Sequence, residues 1–553
     1  MRINVLKYNV IIFLSAILLF VPFLGAVHLF DWDEINFAEC AREMLVTKDF
    51  FSITINYLPF WEKPPIFIWM QASSMYFFGI NEFAARLPNA ICGIITLLLL
   101  FNIGRKLYDI RFGLLWTLAY AGSFLPHFYF KSGIIDPWFN LFIFLGIYYF
   151  ILFANNNSNF KNKPKQYYRI LIISALFIGL AILTKGPVAG LVFGLCFICF
   201  WISQRFKPII SFKQFFVFIF YTSLVGGLWF LMLVISGNSN IIKDFFLYQV
   251  RLLNTQDAGH GGPFFYHWII LLIGCFPASI FALSAFKRNT YDTPYQRYFK
   301  LWMMILFFVV LILFSLVKTK IVHYSSLCYF PLTFLGAYTC YKLMNKELKW
   351  KKYTSPLLLI IAAGIGTTIA ALPFIDKYKQ RIISTNIIKD QFALENLKTT
   401  VNWVGYEWLI GALFIIGIGV MLILMYKKYI KIAIVGIFLL SLFTVNLSSL
   451  IIAPQIEKYS QASAIEFYEY LQNKDCYVET LGFKSYAQLF YTHKQPPKNK
   501  NSYSVDWLLS GSIDKPTYFV SKITEAENIH AQHVNLKEIY RKNGFVFWYR
   551  SIF

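Results

Sequence analysis

Of 553 residues, 58% are hydrophobic and only 14% are charged, and the formal net charge is +23. This balance excludes a soluble domain, whose single core could not bury so much apolar surface. The basic excess does not mark a nucleic-acid binder either, because Lys and Arg fall in short clusters between apolar runs and form no long basic stripe.

Taken along the chain, apolar windows of about 20 residues predict thirteen membrane spans. They lie near 10–29, 84–104, 112–130, 135–154, 169–185, 187–202, 214–235, 265–286, 300–317, 322–342, 355–375, 408–425 and 431–452. The first run follows Arg2 and Lys7, as a signal peptide would, but no small-residue cleavage site comes after it, so an uncleaved span is expected. Aromatics at 20% suit a chain with many helix ends at the lipid–water interface.

Alternate loops share a side. One side collects Arg2 and Lys7, Arg105, Lys106 and Arg111, Lys161, Lys163, Lys165 and Arg169, and Arg205, Lys207 and Lys213. Further along it receives Lys287, Arg288, Arg297 and Lys300, Lys342 to Lys352, and Lys427, Lys428 and Lys431. The positive-inside rule makes this side, with the N-terminus, cytoplasmic. The other side receives the polar segments that invite chemistry. These include an acidic cluster, Asp31-Trp32-Asp33-Glu34, directly after the first span, and Trp61-Glu62-Lys63-Pro64-Pro65 about 30 residues later. Carboxylates at a membrane edge are costly unless they react or bind an ion.

Within this first external loop, Glu34, Ala38 and Arg42 recur at helical spacing, so Asp33–Val46 is predicted to be a helix lying along the interface. Ile66–Phe78 is apolar but too short to cross, and is expected to lie on the surface or dip into it. From Pro454 the chain turns mixed and polar. Strand patterns at Tyr477–Phe483, Thr517–Ser521 and Gly544–Tyr549, with helical ones near Gln461–Leu471 and Ser485–Tyr491, predict a small external α/β domain over 454–553. A basic, Pro- and Asn-rich connector spans Lys494–Asn501. Most of the eight cysteines sit inside spans, and Cys196 and Cys199 lack the His or acidic neighbours a metal site needs.

Three strings then carry a resemblance. Asp33-Glu34 leads through Phe37-Ala38-Glu39 to Ala41-Arg42-Glu43-Met44, followed by Phe60-Trp61-Glu62-Lys63-Pro64-Pro65 and by Asn81-Glu82-Phe83-Ala84-Ala85-Arg86-Leu87-Pro88. Ile135-Asp136-Pro137, Leu183-Thr184-Lys185-Gly186-Pro187, Gly262-Pro263-Phe264 and Lys318 to Pro331 extend the likeness. The chain resembles the polyprenyl-phosphate-sugar-dependent glycosyltransferases of the GT-C fold, most closely the bacterial lipid A aminoarabinose transferases and their protein O-mannosyltransferase relatives. The resemblance implies an all-α polytopic membrane domain over 1–453, with the C-terminal domain matching only in position and size. It also implies residence in the bacterial inner membrane, with that domain in the periplasm. Asn36 departs from the family pattern, in which basic residues are common, and this bears on the sugar or acceptor more than on the reaction class.

Transfer from a lipid-linked sugar needs a base for the acceptor proton and cations for the departing phosphate. Asp33 is the candidate base, where the family's first-loop aspartate also falls; the plainer reading is a helix cap. Glu34 is its expected assistant. Lys63, presented by Pro64-Pro65, is the first phosphate ligand, against an ordinary surface pair with Glu62. By resemblance, Arg251 and Lys320 are further phosphate contacts, with Tyr324 a nearby hydrogen-bond donor. For the two cations the alternative is snorkelling toward headgroups. By resemblance, Asp136 belongs to a second acidic site that orients acceptor or sugar hydroxyls, against the plainer reading of an N-cap. Lys185 either faces the lipid phosphate or stabilises its turn.

Glu62 and His260 could meet on this face as metal ligands, but two ligands from distant loops are weak ground for a metal. The reaction is expected to require no cofactor or divalent ion, while an incidental or structural ion is compatible with it. The expected partners are a polyprenyl-phosphate-linked sugar, lipid A or another envelope glycoconjugate as acceptor, and membrane lipids. A protein O-mannosyltransferase or glycan-chain transferase is the alternative within the enzyme class. A transporter or flippase is the alternative outside it, disfavoured because polar groups gather at one face rather than at mid-membrane.

Overall fold

The computed structural model describes residues 2–155, 164–254, 261–286 and 290–552, except the side chains of 2–4, 164 and 252–254. His260, Lys161, Lys163, Lys287 and Arg288 lie outside the described residues.

The first helices are α1 (Arg2–Phe20), α2 (Asp33–Thr47), α3 (Ile66–Phe78) and α4 (Glu82–Leu107), with a two-residue hairpin of β1 (Thr54–Ile55) and β2 (Leu58–Pro59) between α2 and α3. Next come α5 (Ile110–Ala121), α6 (Phe124–Phe128), α7 (Asp136–Asn155), α8 (Pro164–Lys185), α9 (Val188–Ser203), α10 (Phe212–Gly226), α11 (Leu228–Ile235) and α12 (Ser239–Asn254). The bundle continues with α13 (Tyr266–Gly274), α14 (Ala278–Ala282), α15 (Pro294–Leu316), α16 (Tyr329–Met344), α17 (Thr354–Ser384), α18 (Gln391–Leu397), α19 (Trp408–Tyr426) and α20 (Ile430–Leu447). Among the described residues, seven helices are long and apolar enough to cross a membrane, and the α10–α11 pair, bent by 51°, makes an eighth if it is one span. The protein is a multi-pass membrane protein.

Every predicted span contains helix, but several are broken. The 112–130 stretch breaks at Gly122, where a Cβ would meet the Phe438 carbonyl at 2.6 Å. The 265–286 stretch breaks before Pro277, which has no N–H to continue a ladder. The first span ends earlier than expected, at Phe20. Local signals fix other ends. Asn81 caps α4, accepting from Ala84 N at 2.9 Å, and Thr293 with Gln296 closes a capping box ahead of Pro294 on α15. Gly104 and Gly113 let α4 and α5 touch backbone to backbone, since a Cβ on Gly104 would lie 2.9 Å from Gly113 Cα.

The loops expected on the basic side meet at one end of the bundle. There Lys342 pairs with Asp292 at 2.8 Å and Glu347 at 2.5 Å, Tyr338 donates to Asp292 at 2.6 Å, and Tyr341 donates to Asp109 at 3.0 Å. The reactive segments meet elsewhere, as described below.

After α21 (Ala453–Glu457) and α22 (Ala462–Tyr470), β3 (Tyr477–Leu481), β4 (Thr517–Lys522), β5 (Lys537–Lys542) and β6 (Phe545–Arg550) form a sheet of order β3-β4-β6-β5, parallel only at β3–β4. Along β6, Val546 and Trp548 enter a small core with Phe519 and Leu508, while Phe545 and Phe547 join the main core beside Phe467. The strand is apolar on both sides because both sides are covered.

Candidate functional site

The Thr184-Lys185-Gly186-Pro187 turn joins α8 to α9 through Gly186 at φ +98°, where a side chain would be strained and would strike the Phe245 ring at 2.7 Å. This sharp turn aims Lys185 at Asp136, the first residue of α7, with Nζ to Oδ1 at 2.6 Å. Asp136 is 2% exposed, and its other oxygen is buried with no hydrogen-bond partner. Asp33 opens α2, but the cap position is Trp32 and no side-chain cap bond forms, so the Asp33 carboxylate is left for other work. His323, on the 3-10 turn Val322–Cys328 after α15, places Nε2 at 3.5 Å from Asp33 and 4.0 Å from Asp136. Burial holds this imidazole below the ordinary histidine value, with Lys185 and Lys63 acting in the same direction and Asp136 and Asp33 opposing them.

Lys63 approaches the same group. Burial lowers its ammonium below the usual lysine range, opposed by Glu62 and Asp33. Its Nζ lies 5.3 Å from the Tyr248 ring, and the Arg251 guanidinium lies 5.1 Å from that same ring, so one aromatic seats two cations. Tyr248 donates to Glu62 at 3.3 Å. Tyr324 sits under Lys185, with 5.4 Å from Nζ to the ring centre. Asp33, Asp136, Lys185, Lys63, Glu62, Arg251 and Tyr324 therefore converge, from α2, the loop before α3, α7, α8, α12 and the turn before α16. An apolar cavity of about 550 Å³ opens between α3, α4, α7 and α8, lined by Ile66, Met70, Phe77, Leu87, Trp138 and Phe142 among others.

Two predicted residues are placed elsewhere. Glu34 is buried in a clasp with Arg86, whose Nε and Nη2 donate to it at 3.0 and 2.8 Å. Phe30 N adds a third bond at 3.0 Å and Gly133 N a fourth. Burial raises the Glu34 carboxyl, but the charge and bonds of Arg86 outweigh it and hold the group below the ordinary glutamate value. Lys320 turns back onto α15, donating to the carbonyls of Phe314, Ser315 and Val317 at 3.1, 2.7 and 2.6 Å. It closes a helix end rather than facing the other cations.

Sequence reasoning passed over His323, whose only sequence signal is its place one residue before Tyr324. Among the described residues, one group brings three ligand atoms within 4.8 Å of one another: His28, Glu82 and Glu469. It does not include Glu62.

The architecture is the GT-C fold. The crystal structure of ArnT from Cupriavidus metallidurans bound to undecaprenyl phosphate superposes with a TM-score of 0.76 over 98% of both chains at 16% identity. The archaeal oligosaccharyltransferase AglB from Archaeoglobus fulgidus gives 0.53 over 96% of this chain and 70% of its own, at 12% identity. Residues 62–235 match the family model of dolichyl-phosphate-mannose-protein mannosyltransferases. In sequence the chain is 26% identical over 386 residues to an undecaprenyl phosphate-alpha-4-amino-4-deoxy-L-arabinose arabinosyl transferase from Wigglesworthia glossinidia brevipalpis, and 27% identical over 366 residues to that of Shewanella sediminis. The matched stretches cover 66% and 65% of those relatives' own length, just under two thirds. The chain thus shares the fold of ArnT.

Proposed function

We propose that the chain transfers a sugar from a polyprenyl phosphate to an envelope acceptor, with lipid A as the leading acceptor, at the external, periplasmic face of the bacterial inner membrane. The observation that carries this reading is the meeting of two carboxylates, Asp33 and Asp136, with the cations Lys63, Lys185 and Arg251 beside an apolar cavity. Lys63 and Arg251, seated on one tyrosine, offset the charge of the departing polyprenyl phosphate, and the cavity accepts isoprenoid chain. Asp33 takes the acceptor proton as the acceptor oxygen bonds to C1 and the C1–O bond to phosphate breaks, with inversion. Asp136, held by Lys185, orients sugar or acceptor hydroxyls. No metal has a step in this scheme. The basic loops supply the orientation, with the N-terminus cytoplasmic and the C-terminal domain periplasmic.

The likeness to the arabinosyl transferases supports lipid A, and the mannosyltransferase family match over residues 62–235 supports a protein acceptor as the second reading. Purified protein in liposomes, given undecaprenyl-phosphate aminoarabinose and lipid A, should produce a lipid A mass increased by one aminoarabinose. Asp33→Asn should reduce turnover by roughly 100-fold or more. Unmodified lipid A together with mannosylation of a peptide from polyprenyl-phosphate mannose would move the acceptor to protein. Absence of transfer to either would sink the enzyme reading.

A further inference from the structure

His323 has no part in the scheme above, yet it is the residue that joins its two acidic sites. Nε2 lies 3.5 Å from Asp33 Oδ2 and 4.0 Å from Asp136 Oδ2, and the latter oxygen is buried without a hydrogen-bond partner. The backbone that presents it is firmly tied. Lys320 closes the end of α15 just before it, Ser326 Oγ donates to the His323 carbonyl at 2.5 Å, and Asn140 of α7 donates to Ser326 Oγ at 2.7 Å. Asn140 lies one turn along α7 from Asp136, so the imidazole and that carboxylate are anchored to the same helix. The ring is 15% exposed and rests against Tyr324, with centroids 5.3 Å apart. The charged or titratable groups facing it are Asp33 from α2, Asp136 from α7, Lys185 from α8, Lys63 from the loop before α3 and His267 from α13.

We propose that His323, neutral and with Nε2 unprotonated, is a positioning residue that acts through Asp33 and relieves it of the acceptor's proton. The inference rests on Asp33 being the base. The acceptor O–H breaks and its proton passes to the Asp33 carboxylate as the oxygen bonds to C1. The C1–O bond breaks with its electron pair leaving on the polyprenyl phosphate. The proton then moves from Asp33 to His323 Nε2, giving an imidazolium flanked by two carboxylates. A small closing movement brings 3.5 Å to transfer distance, as is common when an unliganded site binds substrate. The buried, neutral imidazole is ready to accept, and the empty oxygen of Asp136 compensates the charge that develops. This arrangement serves a nucleophile that arrives protonated, a hydroxyl or a singly ionised phosphate, and is idle with a fully ionised phosphate.

Two measurements test it. In the liposome assay with undecaprenyl-phosphate aminoarabinose and lipid A, His323→Gln should lower kcat about 10- to 100-fold. It should also remove the acidic limb of the pH profile while leaving KM for the donor near wild type, and added imidazole should restore part of the turnover of His323→Ala. An unchanged pH profile with no rescue would overturn the relay. The second measurement needs no substrate: NMR titration of protein carrying 15N-histidine, with the His323 signal assigned by its loss in His323→Gln. Asp33→Asn should lower the His323 titration midpoint by about one pH unit, because a carboxylate at this range favours the charged ring. No shift would overturn the Asp33–His323 pair. A shift accompanied by no transfer in the wild-type assay would uphold the pair and refute the transferase reading instead.

Discussion

The Glu34–Arg86 clasp yields the sharpest test of how the first loop is built. Both side chains are about 5% exposed, and Arg86 makes five hydrogen bonds: two to Glu34 and one each to the carbonyls of Leu24, Val27 and His28 at 2.8, 2.6 and 2.9 Å. It thereby folds the turns after α1 over the start of α4 and fixes where α2 begins. Glu34→Gln leaves Arg86 charged, buried and held only by carbonyls, which costs about 3–5 kcal/mol. Arg86→Met strands the carboxylate and three carbonyls and should cost at least as much, whereas Glu34→Gln with Arg86→Met should be milder than the sum of the singles. For a chain of this length each single change should lower the Tm in detergent by roughly 3–4 °C. Below that transition, Glu34→Gln should retain turnover within about tenfold of wild type, unlike Asp33→Asn, because Glu34 only supports the base's helix. A Glu34→Gln protein with wild-type Tm and abolished turnover would refute the reasoning and return Glu34 to the chemistry.

Lys320→Met should destabilise the protein by about 1–3 kcal/mol by uncapping three carbonyls at and just past the end of α15, with KM for the donor unchanged; a large rise in KM would restore its role as a phosphate ligand. Lys185→Met should be more destabilising than the double change Lys185→Met with Asp136→Asn, because the single change leaves a buried carboxylate unpaired, while turnover falls in both. Glu43 is fully buried, and burial together with nearby Glu39 pushes its carboxyl up to about 8 despite bonds from Thr54 and Tyr57. A folded value above the unfolded one means that the native state binds the extra proton, so its contribution is present at low pH and is lost as pH rises toward 8. Unfolding measured from pH 5 to 8 should lose stability with a slope of up to about 1.4 kcal/mol per unit, and Glu43→Gln should flatten it. An identical slope in the variant would mean that Glu43 is already ionised.

The spans, α2 and α3 were legible because apolar runs and helical spacing are local properties, read by neighbouring residues in the same window. The breaks at Gly122 and Pro277 escaped because averaging over a span hides a single residue, and the carbonyl that Gly122 lets approach belongs to Phe438, far along the chain. The strand Lys537–Lys542 was missed for a related reason: Lys-Glu-Ile-Tyr-Arg-Lys is an exposed sheet edge, and its charges conceal the period. The site divides on the same principle. Asp33, Lys63, Asp136 and Lys185 are conspicuous because a polar group at a membrane edge has to be explained, and they do come together. Glu34 and Lys320 were equally conspicuous, but their partners lie in tertiary structure: an arginine 52 positions away for one, and three carbonyls of an adjoining helix end for the other. Such pairings satisfy buried charge, and no spacing announces them. His323 presents the opposite case. A lone histidine beside a tyrosine carries no signal until folding sets Asp33 and Asp136 on either side of it. The residues least legible in the sequence are therefore those whose charge is answered at a distance, and the Asp–His–Asp arrangement is the one on which the proposed reaction most depends.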